Sequence, residues 1–123
     1  MADQTNALAG IVDLTIDGVT YLVAGDAKYQ VSGVTRETKK GQNRVVHGFT
    51  EEARQGKISM SLRDRADLSV AALAGMRNST VVLGLSNGKT VVGQDMWTVG
   101  EQEVDTKEGE IPVEFEGKYV VEI

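Results

Sequence analysis

The sequence predicts a mainly β protein, an antiparallel β-sandwich or barrel-like fold with one short α-helix at about residues 70–76. Three observations carry that expectation. Apolar residues alternate with polar ones in short runs along most of the chain. Three pairs of runs meet at tight turns: Asp17-Gly18, Asn87-Gly88 and Thr106-Lys107-Glu108-Gly109. Asp-Gly and Asn-Gly supply the positive φ angles that two-residue hairpin loops require. Only one window, beginning behind Ser69, combines helical spacing with a capping residue.

Composition narrows the function classes. At 123 residues the chain forms one domain with a modest core, and six aromatic residues leave that core to Val, Leu, Ile and Ala. A net charge of −5 argues against general nucleic-acid binding, which needs a positive field to replace counterions. With no cysteine there is no disulfide framework, thiolate metal site or thiol nucleophile. The apolar runs are too short to span a bilayer, and residues 1–10 lack the regions of a signal peptide. The expectation is a soluble protein used without export, with no membrane partner.

Residues 1–10 have no sustained period and read as an arm before a single domain at 11–123. The first hairpin pairs 11–16 with 19–24 across Asp17-Gly18. That places Val12, Leu14, Ile16, Val19, Tyr21 and Val23 on one face. Gly25-Asp26 reads as a turn into one strand from about 28 to 38. Residues 39–56 read as a projecting loop or loose hairpin, with Val45, Val46, Phe49 and Ala53 set among charges. Its residues suit either docking on something else or a plain surface hairpin. At 57–63 Ile58, Met60 and Leu62 face one way. Ser69 then caps the helix, with Leu68 and Leu73 at the positions of a hydrophobic staple. Two helical turns cannot stand alone, so Leu73 and Met76 should plug the sheet structure.

Across Asn87-Gly88, a two-residue loop groups Val81, Leu83, Leu85 and Val92 on one face. Val82, Gly84, Val91 and Gly93 take the other. Residues 97–105 and 110–116 read as the last hairpin, with Ile111, Val113 and Phe115 inward and Glu110, Glu114 and Glu116 outward. Beside them Glu101, Glu103 and Asp105 share one side, and a bulge at Gly100 is expected to reverse the facing of Trp97 and Val99.

Charge is uneven along the chain. Residues 28–65 hold nine bases against four acids, and residues 101–123 hold eight acids against two bases. Rows of like charge on adjacent strands destabilise a lone sheet. The acids Glu101, Glu103, Asp105, Glu110, Glu114 and Glu116 therefore read as lining a channel, as meeting bases of a neighbouring copy, or as a solvated face. Open sheet edges with a single proline, Pro112, favour closing one copy onto the next as a ring.

Specific residues then resemble the Mu-like phage tail tube protein family of contractile-tailed phages. The segments are YLVAGD (21–26), YQVSGVTRE (29–37), HGF (47–49), ISMSLRD (58–64), NGK (87–89) and EG (116–117), in order from about residue 10 to 117. The resemblance implies a tail tube fold, related to type VI secretion tubes, whose subunits form hexameric rings stacked inside a sheath. It implies a structural, non-enzymatic virion protein without cofactors, assembled in the host cytoplasm. Sheath, tape-measure and baseplate or terminator proteins would be its partners, and DNA would pass through the lumen without specific binding. It also implies an inter-ring stacking loop carrying Lys39, Lys40, Gln42, Arg44, His47 and Phe49. Inter-subunit charge pairs would involve Arg36, Glu37 and Arg63. Residues 39–44 are more basic than the family pattern.

Other chemistries find little footing. His47, the only histidine, has no partners at metal-ligand spacing, and no serine sits in a nucleophile set. Met96-Trp97 reads as core or interface anchor. The alternative to a tube subunit is a small monomeric β-sandwich binding carbohydrate or peptide, which would need a concave aromatic surface. An enzyme ranks third.

Overall fold

From Ile11 the chain enters β1 (Ile11–Ile16), then β2 (Val19–Tyr21), β3 (Val23–Gln30), β4 (Gly33–Lys40), β5 (Val46–Arg54) and β6 (Gly56–Arg63). The helix α1 (Val70–Ala74) precedes β7 (Ser79–Leu85), β8 (Thr90–Val99), β9 (Glu110–Gly117) and β10 (Tyr119–Glu122). This computed structural model describes residues 11–123, with the backbone alone at residues 11, 12, 25 and 26. The readings of residues 1–10 as an arm and of Val12 as inward-facing lie outside the described residues.

Eight strands form one antiparallel sheet in the order β2-β1-β7-β8-β9-β6-β3, with β10 pairing β8, and the sheet curls into a half-barrel. β2 and β3 stand at opposite ends of that order yet adjoin in the chain through Leu22. The Leu22 carbonyl accepts from the Arg63 N–H at 2.9 Å, which stitches this corner to β6. The concave side holds the core: Leu14 and Ile16 from β1, Ile58 and Leu62 from β6, Val81 and Leu83 from β7, and Phe115 from β9, all buried. Strand periodicity is the cause, since alternate residues point to one face. β6 follows the predicted alternation, with Ile58, Met60 and Leu62 inside.

The first loop is the predicted two-residue turn. Asp17 and Gly18 both have positive φ, and Ile16 pairs with Val19. Val19 is nevertheless exposed, because β2 is a three-residue edge strand that meets the core only through Tyr21 at its far end. The helix forms behind Ser69, whose Oγ accepts from the Ala72 N–H at 3.2 Å. It ends at Ala74, earlier than the predicted limit, where the Gly75 N–H donates back to Ala71. Leu73 is buried, and Leu68, Val70 and Met76 pack on the same core. Thr98 of β8 ties the helix down, its N–H and Oγ1 donating to the carbonyls of Met76 and Ala74.

Several local expectations are corrected. Gly25-Asp26 is no turn; β3 runs through it with a register shift between Ala24 and Lys28, and the break comes at Leu22 instead. The predicted strand 28–38 is divided at residues 31–32 into β3 and β4. The turn between β7 and β8 encloses three residues, 86–88, within the pair that the Leu85 N–H makes by bonding the Lys89 carbonyl, and Gly88 takes φ +92°. That extra residue shifts the register by one and exchanges the faces. Val91 and Gly93 join Val81 and Leu83 in the core, while Val92 pairs with Val82 outside it.

The strand expected to begin at residue 97 is instead the second half of one bent strand, β8, with Asp95 at φ +53° at the bend. β8 stops at Val99, and Gly100 at φ +72° turns the chain away. No bulge reverses the faces there: Trp97 and Val99 lie opposite Glu116 and Glu114 on the outer face. Beyond Gly100 only Asp105 bridges to Glu110, and its carboxylate accepts from the Lys107 and Glu108 N–H groups to shape the predicted turn. β9 therefore lacks a β8 neighbour over residues 110–113, and Pro112 occupies that free edge, where a missing N–H costs nothing.

Candidate functional site

Among the described residues β4 and β5 pair only with each other, from Gly33↔Arg54 to Lys40↔Val46. Every residue of β4 is exposed, and so is every residue of β5 except Arg54. This ribbon extends the β3–β6 pair in the same register, Gln30↔Lys57 on one side of the interruption and Gly33↔Arg54 on the other. One long hairpin thus begins in the half-barrel and ends standing free. Isolated two-stranded ribbons are marginal in water, because backbone hydrogen bonds alone do not offset the entropy of ordering.

One face of the ribbon carries Val34, Arg36 and Thr38 opposite Ala53, Glu51 and Phe49. Val34, Val45, Val46 and Phe49 are exposed large apolar residues, with Phe49 at 57%. The Arg36 guanidinium lies 5.4 Å from the Phe49 ring centre and 3.5 Å from the Glu51 carboxylate. Stacking on an exposed ring contributes about 0.5–1 kcal/mol. The tip is closed by the Gly41 N–H bonding the Val45 carbonyl at 2.8 Å, with Arg44 at φ +61°. A register shift between Lys39 and Lys40, with Gly48 at φ +143°, makes room for His47. Its imidazole sits so close over Gly41 that a Cβ there would overlap it.

The structure therefore gathers Lys39, Lys40, Gln42, Arg44 and His47 at the ribbon tip, with Phe49 just below. Arg36 and Glu37 lie on β4. Each has a partner in its own chain: Arg36 with Glu51, and Glu37 with Lys39 at 3.2 Å. Arg63 lies elsewhere, at the end of β6, 3.7 Å from Glu110 and donating to the Glu108 carbonyl.

The acids do not form two adjacent rows. Glu110, Glu114 and Glu116 share the outer face of β9, but Glu101 and Glu103 are exposed in the irregular segment after Gly100. β6 answers the β9 row across the sheet: Lys57 lies 3.2 Å from Glu114, and Arg63 faces Glu110. Gln55 donates to Glu116 at 2.9 Å. The like-charge conflict read from the sequence is thus relieved within the chain. These pairs are solvent-exposed, and each contributes about 0–1 kcal/mol.

The foot of the ribbon was not legible as a site. Ser32, Gly33, Ala53, Arg54, Gln55, Trp97, Gly117 and Lys118 line a mostly apolar concavity of about 510 Å³ there. Trp97 is half-buried on the outer face, whereas Met96 is fully buried in the core. Only Trp97 carried a sequence signal, as a large aromatic beside a turn. Among the described residues no three His, Asp or Glu side chains gather as metal ligands, and no helix is long and apolar enough to cross a membrane.

A free-standing ribbon on a curled sheet is the geometry of a subunit that finishes its packing against other chains. The sequence agrees: a family model described as phage tail tube protein matches residues 5–122. The chain belongs to the phage tail tube protein family. A search of curated proteins returns no match. Membership makes it a structural component of a phage tail, one of many subunits of a tube. For a tail tube subunit, the exposed ribbon and the outer charges become surfaces that other copies can cover.

Proposed function

We propose that this protein forms hexameric rings that stack into the inner tube of a contractile phage tail or tail-like particle, the conduit through which DNA leaves the capsid. The observation that carries this reading is the ribbon: two paired strands, exposed on both faces, with Phe49 and three valines open to solvent. A chain gains nothing from such an element alone, whereas a stacked ring gives it a partner. Lys39, Lys40, Gln42, Arg44, His47 and Phe49 bridge rings. Arg36, Glu37 and Arg63 exchange their intrachain partners for acids or bases of a neighbour. The acids on and near β9 are shared between the bore and the subunit interface. The tube lies within a sheath, around a tape-measure protein, and is bounded by baseplate and terminator proteins.

Size-exclusion chromatography with negative-stain imaging of the concentrated protein tests the assembly. Rings or tubes with a central bore are the expected result. A monodisperse 13.2 kDa species at every concentration would reject it and favour a monomeric binding module.

A further inference from the structure

We propose that Ser32 is the positioning residue of the ribbon, holding it at a fixed angle in the free subunit so that another copy meets a preformed arm. The inference rests on the stacking role given above, but its structural half stands apart from it. The long hairpin is interrupted at residues 31–32 and 55, between its buried and its exposed half. Such a break in a two-stranded ribbon is a natural hinge. Here it is tied to a third strand. The Ser32 N–H donates to the Val120 carbonyl at 3.1 Å, and the Val120 N–H donates to Ser32 Oγ at 3.1 Å. The same hydroxyl lies 3.3 Å from the Val120 carbonyl.

Val120 is fully buried in β10, whose other edge pairs with β8. Ser32 thus caps the outer edge of β10 with one residue and anchors the ribbon to the half-barrel. Other contacts complete the collar. Arg54 Nε donates to the Val31 carbonyl at 3.0 Å, joining the two legs, and Gln30 Nε2 donates to the Gln55 carbonyl at 2.9 Å. Gly56 is packed so tightly on Val120 that any Cβ there would overlap its side chain.

The ribbon acts as a lever about its foot. At roughly 3.4 Å per residue the eight residues of β4 carry the tip about 24 Å from the collar. A 10° swing at the foot then moves the tip by about 4 Å, beyond the reach of any hydrogen bond made there. Ser32→Ala keeps the backbone bond but leaves the buried Val120 N–H without an acceptor. Ser32→Thr retains the hydroxyl.

The absence of native cysteine makes the test direct. Spin labels on Gln42→Cys at the tip and Lys107→Cys on the body report the ribbon angle as a distance distribution in the dilute, unassembled subunit. A single narrow distribution is expected, broadening at least twofold with Ser32→Ala and narrowing again with Ser32→Thr. In unlabelled protein, Ser32→Ala should raise the concentration needed for tube growth about fivefold, the size of one lost hydrogen bond, and Ser32→Thr should restore it. A distribution already broad in the parent, or unmoved by Ser32→Ala, overturns the proposal. So does a narrow distribution that broadens while tube growth stays at the parent concentration. If the parent forms no tubes, the stacking role fails, while the labels still decide whether Ser32 holds the ribbon.

Discussion

β6 and β4 are both eight residues long and stand one strand apart in the chain, yet they differ in what they bury. β6 buries alternate residues between β3 and β9, whereas β4 buries none and has β5 as its only neighbour among the described residues. Both complete a backbone ladder, but only β6 gains the removal of apolar surface from water that makes a ladder stable. The half-barrel is therefore held by its own core. The ribbon is held by its own ladder and by its foot.

The largest expected effect lies in the half-barrel. Phe115 is fully buried, and Phe115→Ala should lower the unfolding free energy by about 3–5 kcal/mol in a urea titration, abolishing assembly along with the fold. Deleting residues 39–44 should separate the two regions. The unfolding free energy should stay within about 0.5 kcal/mol, as for other changes away from a core, while tubes vanish from electron micrographs. Tubes of normal length would erase the distinction. The smallest effect belongs to the outer charges. Glu114→Gln removes one exposed pairing with Lys57 and should cost about 0.2–1 kcal/mol at low ionic strength, fading towards zero in molar salt. A larger loss, unaffected by salt, would give the outer face a structural part of its own.

The half-barrel was largely legible in the sequence. Ile58, Met60 and Leu62 alternate, Asp17-Gly18 supplies its turn, and Ser69 caps the helix as expected. Errors arose where one residue decides a register. Asn87-Gly88 fits two- and three-residue loops alike, and the choice depends on Leu85 bonding Lys89, a contact no local pattern announces. β8 continues through Gln94 and Asp95 to Val99 because β10 and then β9 supply partners along it, and both lie far along the chain from its start. The acids misled for a related reason. A period of two is uninformative once Gly100 has left the strand, and the bases that answer β9 come from β6, about fifty residues earlier in the chain. Ser32 gave no signal, since a serine in an alternating run looks like any outward residue until Val120 is brought against it.

The bend at Asp95 carries a last consequence. Before it, β8 lies between β7 and β10; after it, the same strand lies along β9 and holds the helix through Thr98. One ten-residue segment at the middle of the sheet is thus a tie-beam common to both halves of the half-barrel. Melting either half strips that strand of a neighbour, so thermal or chemical denaturation of the body should be all-or-none, with the tip of the ribbon alone free to open in advance.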